Sequence, residues 1–175
     1  MELINKIEKT VLGWTKNVPH LPLVGQKWLA DNVWWIALVG AIISGIAALF
    51  ALSGLFALLA MLGGPSSVYY VYGNYSEIAV LTSVTSLVFL IINGILLALA
   101  VNPLKAKQKK GWVLLFLVLL VQAISIVINA VISFSVLGFI MAILFGAIGL
   151  AIGAYFVFEI HGQFAHAPKA TIKKS

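Results

Sequence analysis

Gln122, Ser125, Asn129 and Ser133 recur about once per helical turn in a run otherwise made of Leu, Ile, Val and Ala. At 3.6 residues per turn these four side chains share one face. An earlier run, 78–101, carries Thr82, Ser86 and Asn93 on one face, with Leu90 between them. Amides and hydroxyls donate and accept hydrogen bonds without ionising, so the chemistry they support is binding or packing, not proton transfer. Two arrangements fit. One is a seam of hydrogen bonds between two helices in an apolar medium. The other is the polar lining of a water- or ligand-filled cavity.

Spacing favours the seam. The two runs are joined by about ten residues, so they pack as antiparallel neighbours, and residues at one depth share a nearly constant index sum. Asn93 with Gln122, Ser86 with Asn129, and Thr82 with Ser133 all give 215, close to the value at the ends of the runs. The expectation is a polar intramembrane seam with Asn93 beside Gln122.

The groups that usually drive catalysis are missing from the apolar runs. The acids are Glu2, Glu8, Asp31, Glu77 and Glu159, and all lie at or outside the ends of those runs. With no cysteine, there is no disulfide, thiolate zinc site or thiol nucleophile. With no arginine, there is no bidentate clamp for phosphate or carboxylate, which argues against a nucleic-acid partner despite a net charge of +6. His161 and His166 in "EIHGQFAH" are too few for a metal site and read as part of a flexible tail. No phosphate-binding glycine loop and no serine with a nearby base are present. The expectation is a protein that is not an enzyme and holds no cofactor or metal.

The elements that position the stripes follow from composition. The chain has 175 residues, 62% of them hydrophobic and 9% charged, with a mean hydropathy of +1.11. Soluble domains are about half apolar and about a quarter charged. Four runs are long enough to cross a hydrocarbon core, which takes about 20 residues. They cover 33–62, 78–101, 112–132 and 136–158. The fold class expected is an all-α membrane protein, a four-helix bundle with an N-terminal interfacial amphipathic helix.

The lysines orient it. Four precede the first run, four lie between the second and third, and three follow the fourth; the other two loops have none. By the positive-inside rule both termini face the cytoplasm, with the cell membrane as the expected location. Trp28, Trp34, Trp35 and Trp112 fall at the same ends of the runs, as an interfacial aromatic belt would. Ahead of the first run, Leu3, Ile7, Val11, Trp14 and Val18 share a face that Lys6, Lys9 and Lys16 avoid. Such a segment lies in the interface plane and attracts anionic lipid on the cytoplasmic side. Three regions result: a surface segment 1–32, a membrane domain 33–160 and a basic cytoplasmic tail 161–175.

Small residues mark close helix contacts. The first run has Gly40, Ser44 and Gly45; the fourth has Gly138, Ala142, Gly146, Gly149 and Gly153. These rows suit packing of the first run on the fourth, or docking on a membrane-protein partner or a second copy of the chain. The function expected is a membrane scaffold or accessory subunit that works by helix packing. The alternative is a small channel or transporter for a neutral or apolar solute, lined by the polar faces of the second and third runs.

Overall fold

A computed structural model of the chain describes residues 19–62, 66–132 and 136–164, together with Thr10 and Gly13. Over 66–76 only the backbone is described. The expected amphipathic helix, with Lys6, Lys9, Trp14 and Lys16, lies outside the described residues, as does Ser133.

The described chain is almost all helical: α1 (Leu23–Leu62), α2 (Ser66–Lys105), α3 (Lys109–Ile132), α4 (Val136–Glu159) and a single turn, α5 (His161–Phe164). The first four are long and apolar enough to cross a membrane. Apart from the polar residues of α2 and α3, their membrane-length stretches are apolar, with large apolar side chains exposed on all four, the pattern of a helix whose surroundings are themselves apolar.

α1 starts ten residues before the apolar run. Pro22 cannot continue a helix N-terminally but caps one well, and its carbonyl accepts the Gln26 N–H at 3.0 Å. Polar Gln26, Lys27 and Asp31 then ride on the helix without breaking it. At 40 residues α1 is about 60 Å long, twice the hydrocarbon thickness.

The helices pack in chain order, α1 on α2, α2 on α3 and α3 on α4. α1 and α4 do not pack on each other in this way. The small-residue rows show why. A side chain at Gly40 would meet Leu97 of α2, and one at Gly94 would meet Ser44 of α1. Gly146 and Gly153 of α4 face Ile126 and Leu119 of α3. The expected packing of the first run on the fourth is therefore corrected: Gly40 and Ser44 pack on α2, and Gly146 and Gly153 on α3, because short loops make sequential helices adjacent. Gly45 and Gly149 have open space where a side chain would go.

The core is concentrated at the lysine-bearing end. Ala30, Val33 and Ala37 of α1, Ala100 and Leu104 of α2, Trp112, Leu115 and Phe116 of α3, and Phe158, Ile160 and Phe164 form one buried cluster. Away from it the helices present large apolar side chains outward, such as Phe50, Phe56 and Phe145.

The turn between α2 and α3 is tight. Lys107 has φ 53°, the left-handed conformation, and the Gln108 N–H bonds to the Pro103 carbonyl while Lys107 N–H bonds to that of Leu104. This is a Schellman termination, usually completed by glycine. Gly111 then lets α3 start directly against α2: a side chain there would sit 2.6 Å from the Leu104 nitrogen.

Candidate packing seam and polar clasp

The two polar stripes face each other between α2 and α3. Asn93 Nδ2 donates to Gln122 Oε1 at 3.2 Å. Seven residues away, the Ser86 hydroxyl donates to Asn129 Oδ1 at 3.4 Å, and Asn129 Nδ2 donates to the Ser125 carbonyl and hydroxyl at 2.9 and 3.2 Å. Thr82 turns its hydroxyl to the Ile78 carbonyl of its own helix at 2.8 Å. The contacts across the seam are at the long edge of hydrogen-bond geometry. Bonds of this type between membrane helices average about 0.6 kcal/mol, enough to select a register but not to hold the pair alone.

The seam is incompletely satisfied. Asn93 is buried, yet its Oδ1 has no partner. Gln122 is exposed at the edge of the seam, and its amide N–H groups bond to nothing among the described residues. It lies thirteen residues from the start of α3, about 20 Å along the helix and near its middle.

A second polar cluster, not anticipated from the sequence, closes the lysine-bearing end. Glu159 ends α4 with its side chain only 3% exposed. Its carboxylate accepts from His20 Nδ1 at 2.7 Å, the Leu21 N–H at 2.9 Å and Gln26 Nε2 at 3.1 Å. The Tyr155 hydroxyl donates to the Pro19 carbonyl at 2.9 Å. Residues 19–26 are thus clasped to the end of α4. Three donors on one carboxylate offset the desolvation that burial imposes on it.

This clasp corrects two expectations. The segment after the fourth run does not start as a flexible tail at 161: Ile160 and Phe164 are buried, and the His161 ring meets Trp112 edge-on at 4.6 Å. Trp112 itself is not on a lipid-facing belt. It is fully buried, stacks on Phe116, meets Phe158 edge-on and donates Nε1–H to the Val157 carbonyl at 2.7 Å. An indole at a helix end can satisfy its N–H inward as well as at an interface. Trp28 and Trp35 are exposed, whereas Trp34 is half-buried with the Lys105 ammonium 5.2 Å from its ring centre. Lys107 pairs with Asp31.

A cavity of about 550 Å³ lies between α1 and α4, above Leu97 and Leu115. Its α1 wall runs from Trp28 to Gly40 and its α4 wall from Gly153 to Val157, closed by Ile160; every lining residue is apolar or glycine.

No family model matches this chain, and no curated protein or solved structure matches it either. What the fold defines is a class: an all-helical chain with four helices able to span a membrane.

Proposed function

We propose that this chain is a non-enzymatic membrane scaffold or accessory subunit that acts by packing against partner helices or a second copy of itself, with its lysine-bearing end in the cytoplasm. One observation carries the reading: Gln122 is exposed at the edge of the seam, near the middle of α3, and its amide donors bond to nothing among the described residues. An amide moved from water to a medium that cannot hydrogen-bond loses about 4–8 kcal/mol, so a donor held there favours any neighbour that offers an acceptor. Glutamine serves in this way between membrane helices. That Asn93 bonds to Gln122 and Ser86 to Asn129 across the two helices supports packing over a solute path along the polar faces.

The test is extraction from the native membrane in mild detergent, followed by the mass of the intact particle. The expected result is a defined assembly larger than the 18.8 kDa chain, diminished by Gln122→Leu. A single chain in mild detergent, before any substitution, would overturn the proposal. So would flux of a neutral solute into liposomes that Asn93→Leu abolishes.

A further inference from the structure

We infer that the His20–Glu159 pair is a proton-sensitive latch. It holds the start of α1 on the end of α4 more tightly as the medium at the lysine-bearing end turns acidic, and loosens as that medium turns alkaline. This goes beyond the packing role and stands on residues that role does not use.

The geometry divides the pair into a fixed partner and a sensor. The Glu159 side chain is 3% exposed, so water does little to screen its carboxylate. The His20 side chain is 55% exposed, so protons reach it from the medium. The two meet at 2.7 Å through Nδ1. An ionised carboxylate only accepts hydrogen bonds, so Nδ1 must carry the hydrogen. A neutral imidazole supplies it in one of two tautomers, whereas an imidazolium always does. With His20 neutral, every donor on the carboxylate is uncharged: the imidazole, the Leu21 N–H and the Gln26 amide. Protonation places a full positive charge on one of the three. A charge-assisted bond is about twice as strong as a neutral one. Histidine makes this change between about pH 5 and 8.

The surrounding groups leave two candidates for the sensor. On α4, Tyr155 stands one turn before Glu159, and its hydroxyl donates to the Pro19 carbonyl. On α1, Lys27 follows Gln26 and is exposed, and Asp31 pairs with Lys107. α3 presents Trp112, which is uncharged. On α5, His161 lies two residues beyond Glu159 with its ring edge-on to Trp112. His20 makes the bond to Glu159, which assigns it the sensing role over His161.

The position of the pair makes it a latch. α1 and α4 do not pack along their lengths, and they are joined through the clasp and through α5, which touches both. Loosening the pair therefore frees residues 19–26 while the contacts of α1 with α2, α2 with α3 and α3 with α4 stay in place. That is a local opening, distinct from unfolding of the bundle.

The experiment is amide hydrogen exchange of the full chain in phosphatidylcholine nanodiscs at pH 5.5 and 8.0, read as protection relative to an unstructured peptide at the same pH. Protection of residues 19–26 is expected to be about fivefold higher at the lower pH, the gain of a charged over a neutral hydrogen bond. His20→Gln keeps a donor but cannot take a proton, and is expected to erase the difference. Glu159→Gln removes the fixed charge and is expected to erase it too, which keeps the test open should His20→Gln fail to fold. His161→Gln is expected to retain it. Equal protection at both pH values in the unaltered chain, a difference that survives in folded His20→Gln or Glu159→Gln, a difference lost in His161→Gln, or an equal change at residues 119–126 within α3 would each overturn the latch.

Discussion

Gly111 and Gly149 are both helical glycines, yet replacing each with alanine is expected to move stability in opposite directions. Helix propensity alone favours alanine by about 0.8–1 kcal/mol at either site. At Gly149 nothing lies within 4 Å of the new Cβ, so the propensity gain stands. At Gly111 the new Cβ would lie 2.6 Å from the Leu104 nitrogen and 2.9 Å from Leu104 Cγ and the Pro103 carbonyl carbon. That is about 0.8 Å inside ordinary contact, and the obstacle is mostly backbone, fixed by the turn around Lys107. Overpacking costs about 1–3 kcal/mol, and rigid backbone places this case at the upper end. Gly111→Ala is therefore expected to destabilise by about 2 kcal/mol net and Gly149→Ala to stabilise by up to about 1. A gap of about 3 kcal/mol is a factor of about 10² in the unfolding equilibrium. Reversible unfolding in mixed dodecyl sulfate micelles, followed by loss of helical circular dichroism, reads both variants on one scale. Equal midpoints for the two would refute the steric reasoning.

Three further expectations rest on other contacts. Glu159→Ala leaves the Leu21 N–H without its acceptor and is expected to cost about 2–3 kcal/mol, with hydrogen exchange rising first at residues 19–26; exchange unchanged there would show that the clasp holds nothing. A double-mutant cycle on Asn93→Ala and Gln122→Ala is expected to give a coupling near 0.6 kcal/mol and below about 1.7; zero coupling would mean that the pair does not meet. Lys107→Gly relieves a left-handed residue, about 1–2 kcal/mol, and loses an exposed ion pair with Asp31, about 0–1 kcal/mol. The midpoint is expected to hold steady or rise slightly, and a fall of more than about 1 kcal/mol would show that the pair outweighs the backbone.

What could be read from the sequence depended on how local the signal was. Helical period and loop length are local, and they were enough to bring the stripes of α2 and α3 to a common index sum. Glycine rows announce close approach but not the neighbour approached, which is why Gly146 and Gly153 could be matched to the wrong helix. The start of α1 was hidden because hydropathy reports the solvent around a helix, whereas backbone bonding through Gln26, Lys27 and Asp31 decides where it begins. Trp112 at a run boundary carries the composition of a belt residue; only the placement of Phe116, Phe158 and the Val157 carbonyl turns it inward. The clasp had no sequence signature, since His20 and Glu159 stand 139 positions apart and neither is unusual alone.

That separation sets an order of assembly. The contacts of α1 with α2, α2 with α3 and α3 with α4 are each between consecutive hairpin partners, so each can form as soon as the second helix leaves the ribosome and enters the bilayer. The bonds from Glu159 to His20, Leu21 and Gln26 must wait until α4 has been made to its end. Until then the donors of residues 20–26 remain exposed at the membrane surface. Completion of α4 is thus the event that seals the start of α1, and a chain truncated before Glu159 would carry an unsealed segment at 19–26 for quality-control proteases to find.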